Sequence, residues 1–108
     1  MLDSKTCTPC RGGIPPLNEK QANEMLIQTP KWVLIDEATK IRRRFAFDDF
    51  KASLNFINAV SDIAENEGHH PDITFGWGYA EVILYSHKIG GLHENDFIIA
   101  AKIDRVAC

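Results

Sequence analysis

The sequence predicts an α+β domain: a four-stranded antiparallel sheet with helices packed on one face, in the order α-β-β-α-β-β-α. Three observations lead there. Two stretches of strand-like alternation, each folded about a short turn, read as hairpins. One long amphipathic helix separates them, and shorter helices flank the whole. At 108 residues the chain is long enough for one real core and too short for two ordinary domains.

Residues 1–16 read as an irregular arm, given Pro9, Gly12, Gly13, Pro15 and Pro16, and residues 17–108 as the domain proper. Asn18 is suited to cap the first helix, with Gln21 completing a capping box. That helix presents Ala22, Met25 and Leu26 and must stop before Pro30. Residues 32–35 are expected as the first strand, 36–39 as a turn and 41–47 as the second strand. Along the second strand Ile41, Arg43, Phe45 and Phe47 share one face, while Arg42, Arg44 and Ala46 share the other.

The longest helix is expected over 49–67, capped by Asp48 and stopped by Gly68 in the left-handed conformation. Its apolar residues make two adjoining stripes, Phe50, Leu54, Ile57 and Ala64 beside Phe56, Val60 and Ile63. Together they form an arc wider than one small sheet needs, which points to a contact with another subunit. Residues 73–77 and 79–87 make the second hairpin, turning near Trp77-Gly78. Ala80, Val82 and Leu84 then face one side, and Glu81, Ile83, Tyr85 and His87 the other. Gly90-Gly91 breaks the chain before a last helix over about 94–106, whose inward stripe is Ile99, Ala100, Ile103 and Val106.

Composition narrows the function. Hydrophobic residues at 44% and charged residues at 25% describe a globular chain rather than a disordered one. A net charge of −3 argues against a general nucleic-acid binder, so Arg42-Arg43-Arg44 reads as a solvated strand. No apolar run approaches the roughly 20 residues that span a bilayer. The N-terminus lacks the basic-then-apolar order of a signal peptide, and the expectation is a cytoplasmic protein. Cys7, Cys10 and Cys108 are an odd number and no disulfide framework. The lone Cys7-Thr8-Pro9-Cys10 lacks both a second ligand pair and a strand-to-helix setting, so a flexible arm is favoured over a metal or redox role.

The stretch "EGHHPD", residues 67–72, sets two histidines between a helix stop and a proline. Glu65 lies in the last turn of the long helix, His87 is expected to close the fourth strand, and Asp96 sits in the first turn of the last helix. If the second hairpin pairs as expected, the end of its second strand returns to the start of its first, bringing His87 toward His69 and His70. The negative end of the helix dipole and Glu65 both favour imidazolium there, suiting one of the pair to proton donation. Adjacent histidines lack the i, i+4 spacing of helical metal ligands, which leaves acid/base catalysis ahead of a metal site or a plain helix end. His93 reads as a helix-start residue.

Glu65-x-x-x-His69-His70-Pro71, then His87, then Asp96 nine residues on, resembles the signature of the pterin-4a-carbinolamine dehydratases. The likeness runs over about 17–106 and includes the Trp32 strand and the "GGLHENDF" approach to the last helix. It implies dehydration of 4a-hydroxytetrahydrobiopterin to the quinonoid dihydropterin, recycling the cofactor of aromatic amino acid hydroxylases. It implies no metal or organic cofactor, the α+β fold above, and dimers or tetramers. By the same resemblance His69 and His87 take the acid/base roles, His70 mainly holds the pterin, and Glu65 and Asp96 orient or charge-tune the histidines. The Cys7-x-x-Cys10 arm departs from the animal members, which also act as dimerisation partners of a homeodomain transcription factor. Two alternatives stay open: a non-catalytic regulatory or dimerisation partner of the same fold, and an enzyme for another pterin, such as that of the molybdenum cofactor.

Overall fold

The computed structural model describes residues 2–8 and 13–107. Its regular elements are α1 (Glu19–Leu26), β1 (Val33–Ile35), β2 (Lys40–Ala46), α2 (Phe50–Glu67), β3 (Asp72–Gly76), β4 (Tyr79–Leu84) and α3 (Glu94–Val106). Two 3₁₀ turns, Leu2–Ser4 and His87–Ile89, complete the list. The element order is the one the sequence predicts. All four strands join one antiparallel sheet in the order β1-β2-β4-β3, which places the two central strands in different hairpins.

Register explains the core. Ile41 pairs with Leu84, Arg43 with Val82 and Phe45 with Ala80, so the apolar faces of both hairpins coincide. That face is sealed by Phe56 and Val60 of α2 and by Phe97, Ile99 and Ile103 of α3. Phe45 and Phe56 meet with ring centroids 4.6 Å apart. Each such buried side chain stabilises the fold by about 1.5–3 kcal/mol. Arg43 is the polar member of the inner face. Its guanidinium donates to Asp104 of α3 at 2.5 Å, and the Trp32 indole N–H donates to the same oxygen at 2.9 Å. A half-buried charge so placed needs that partner.

Several boundaries differ from the sequence reading. Asp49, not Asp48, caps α2: its carboxylate accepts the Ala52 N–H at 2.8 Å. The reason is that Phe47 still pairs across the sheet, donating its N–H to the Gly78 carbonyl, so the chain leaves the sheet one residue later. Trp32 stands just before β1, buried beneath the sheet rather than within it. The fourth strand stops at Leu84, because Ser86 turns to bridge Gly91 and His87 opens a 3₁₀ turn. At the end of α3 the C-cap Ala107 packs on the core and Val106 does not, being 44% exposed; one residue is a rotation of about 100°.

The long helix buries Ser53, Phe56, Val60 and Ala64. Phe50, from the other expected stripe, remains 48% exposed, and Leu54 is half-buried. Of that stripe only Phe50 is thus left largely uncovered, since Ala64 is buried and Ile57 packs on the core. Residues 2–8, expected as an irregular arm, hold a 3₁₀ turn and lie along α3, anchored by Leu2 in the core. Cys10 and Cys108 fall outside the described residues. Among the described residues no helix is long and apolar enough to cross a membrane.

Candidate active site

The helix stop does the first positioning. Gly68 takes φ 65°, and both its N–H and that of His69 fold back onto the Ala64 carbonyl. This reversal turns His69 inward, where it is 8% exposed. His70, the next residue, stays outside, and Pro71 directs the chain into β3.

Asp96 receives His69. It is fully buried in the first turn of α3, and its Oδ1 lies 2.6 Å from the His69 Nε2. Its Oδ2 accepts the Ser86 hydroxyl at 2.8 Å and the His93 backbone N–H at 3.0 Å. Three donors around one carboxylate offset the cost of burying its charge. An ionised carboxylate only accepts, so a His69 ring facing one carries a proton on Nε2. His93 is the N-cap of α3, its Nδ1 accepting the Asn95 N–H at 3.1 Å, the helix-start role expected of it.

The other two histidines face solvent. The His70 Nε2 lies 2.5 Å from Glu65 Oε2, in the last turn of α2, and both side chains are exposed. At such exposure the contact orients the ring and adds little stability. His87 reaches the start of the neighbouring strand, 4.0 Å from Asp72 Oδ1, with its ring centroid 4.1 Å from that of Tyr85. The β3–β4 register, with Asp72 opposite Ile83, puts the two at one end of the hairpin. The topology thus joins His69 to Asp96 and His70 to Glu65 directly. It brings His87 to the residue that follows His70-Pro71, paired with Asp72 and not with Glu65 or Asp96.

Sequence reasoning missed Ser86, Asp72 and Tyr85. Ser86 carried one usable signal: Gly90-Gly91 closes a tight loop, and the Ser86–Gly91 bridge brings the serine back to the start of α3. Among the described residues no group of three or more His, Cys, Asp or Glu side chains is arranged to hold a metal ion. His69 and His70 instead address different carboxylates. Burial, reinforced by the Glu67 carboxylate, pushes the Cys7 thiol up from an ordinary 9.0 to about 12. A cleft of about 340 Å³ between residues 2–8, α2 and α3 holds none of the histidines. Its charges are paired with one another, Arg105 with Asp3 and Lys102 with Glu67, so the polar cluster and not this cleft is the candidate site.

Comparison with known proteins shows the family. The model of the family described as Pterin 4 alpha carbinolamine dehydratase matches residues 15–106. A protein of Methylococcus capsulatus, assigned by name to the pterin-4-alpha-carbinolamine dehydratases, is 54% identical over 98% of this chain and 93% of its own. One of Halorhodospira halophila, assigned likewise, is 55% identical over 95% of this chain and 94% of its own. Among solved structures, a transcriptional coactivator/pterin dehydratase from Brucella melitensis superposes with a TM-score of 0.81 at 30% identity, covering 86% of this chain and 99% of that one. A pterin dehydratase-like protein identified as a RuBisCO assembly factor in the alpha-carboxysome gives 0.62 at 27% identity, over 71% and 89%.

Proposed function

The chain belongs to the pterin-4a-carbinolamine dehydratase family, and from that premise we propose that it dehydrates 4a-hydroxytetrahydrobiopterin by histidine acid/base catalysis. The reaction removes hydroxide from C4a and a proton from N5, leaving a C4a=N5 double bond and one water. It needs a base at N5 and an acid at the departing oxygen. His69 is the proposed base: its Nε2–H is held by Asp96, so Nδ1 is free to accept. His87, solvent-facing beside Asp72, is the proposed acid, and His70 with Glu65 binds the pterin at the rim. The buried His69–Asp96 hydrogen bond carries this reading, because a partnered carboxylate orients the ring and fixes which nitrogen holds the proton.

The proposed setting is cytoplasmic, beside an aromatic amino acid hydroxylase, with the protein a homodimer or homotetramer. The test generates 4a-hydroxytetrahydrobiopterin with a hydroxylase and follows its absorbance with and without the protein. Accelerated decay is expected, with His69→Ala or His87→Ala slower by about 10²–10⁴-fold. No acceleration at micromolar protein would favour a non-catalytic partner role, of the kind named for the RuBisCO assembly factor. Acceleration only with another pterin would redirect the substrate assignment.

A further inference from the structure

The first residues of the chain are docked, and the place where they dock bears on the histidines. Leu2 is buried in the core, and the segment then runs along α3 toward the start of that helix. The Asp3 carbonyl accepts from Lys102 at 3.2 Å, and Lys5 pairs with Glu94 at 3.0 Å. Asn95, only 2% exposed, commits its whole side-chain amide to Thr8. Its Oδ1 accepts the Thr8 N–H at 3.0 Å, and its Nδ2 donates to the Thr8 carbonyl at 2.7 Å. The Cys7 N–H donates to Glu67 Oε1 at 2.8 Å, and Lys102 stands 3.7 Å from the other Glu67 oxygen. Asn95 immediately precedes Asp96, and Glu67 stands two residues before His69.

We infer that residues 2–8 are a positioning strap that sets the separation of the α2 C-terminus and the α3 N-terminus, with Asn95 and Glu67 as positioning residues for the His69–Asp96 pair. A hydrogen bond between two elements is only as constant as the distance between those elements. The strap holds each element through a buried or nearly enclosed polar side chain bonded to backbone groups of one short segment, with Lys102 of α3 beside the second Glu67 oxygen. Fully partnered polar contacts of this kind specify one arrangement rather than a range of them. The strap's effect on turnover rests on the dehydratase reading above; its effect on the His69 ring does not.

The test uses the full chain. Thr8→Pro removes the N–H given to Asn95 at an exposed residue, and Asn95→Ala removes the amide itself. The imidazole nitrogen resonances of His69 are followed by NMR, beside kcat and KM. Both variants are expected to shift or broaden the His69 signals and to lower kcat by roughly tenfold with KM little changed. Glu67→Ala should behave likewise, and Glu67→Gln, which retains an acceptor for Cys7, should recover most of the loss. Unmoved His69 signals in folded Thr8→Pro and Asn95→Ala would overturn the strap, whatever the activity. A wild-type protein without turnover would sink the dehydratase reading and leave the ring signals to decide the strap. If Asn95→Ala does not fold, Thr8→Pro decides alone.

Discussion

Asp96 is the residue on which the site turns, because one carboxylate has to satisfy His69, Ser86 and the start of α3 together. Asp96→Asn keeps the shape and supplies a single acceptor oxygen where three donors converge. Its amide either faces His69, forcing the proton to Nδ1, or opposes the Ser86 and His93 donors. We expect kcat lower by about 10²–10⁴-fold and a change of His69 tautomer visible in nitrogen NMR. Cys7 gives a second prediction at this scale. With its thiol held near 12, site-resolved alkylation at pH 8 should be slow in the folded protein and fast in denaturant. Between 9.0 and about 12 the unfolded thiol ionises while the folded one keeps its proton, so stability falls as pH rises through that window. Equal alkylation rates in the two states would contradict the protonated, half-buried thiol.

Single elements make sharper predictions than their sequence signals do. The α2 N-terminus has two adjacent aspartates, and only Asp49 accepts from the helix. Asp49→Ala should destabilise by about 1 kcal/mol in urea unfolding, while Asp48→Ala should change little. The reverse ranking would place the cap where the sequence alone suggests it. At the other end of α2, Gly68 sits at φ 65°, a conformation that penalises any side chain. Gly68→Ala should destabilise by about 1 kcal/mol and, by shifting the turn, lower activity more than stability. The β1–β2 connection shows the opposite choice. Asp36, Glu37 and Ala38 all adopt positive φ without glycine, held by Thr39 donating to the Asp36 carbonyl.

At the scale of the molecule, helices cover one sheet face, and the outer stripe of α2 stays open at its Phe50 end. Phe50 is 48% exposed and stacks on Phe75 at 5.7 Å, extending the apolar surface from helix to sheet edge. Such a surface fits the proposed homo-oligomer. Phe50→Glu should therefore lower the sedimenting mass in analytical ultracentrifugation while leaving the far-ultraviolet circular dichroism unchanged. An unchanged mass would remove this stripe as the contact. The inner face is tied at a different point, where Arg43 and Trp32 meet on Asp104 and join sheet to α3.

Helix caps, strand alternation and glycine stops act over a few residues, and they are legible without coordinates. The capping box of Asn18 and Gln21, the turn at Gly68 and the alternating faces within β2 and within β4 were all readable in this way. The spacing of Glu65, His69, His70, His87 and Asp96 was readable too, as a set. What each histidine touches was not. Adjacent in sequence, His69 is buried on Asp96 and His70 is exposed on Glu65, because a left-handed residue turned one inward and left the other outside. Ser86 and the Thr8–Asn95 clasp were equally hidden, separated from their partners by 10 and 87 positions. Local chemistry determined the elements and the candidate residues. Only the packing of α2 against α3, which sets distances between remote segments, decided which of those residues share a proton.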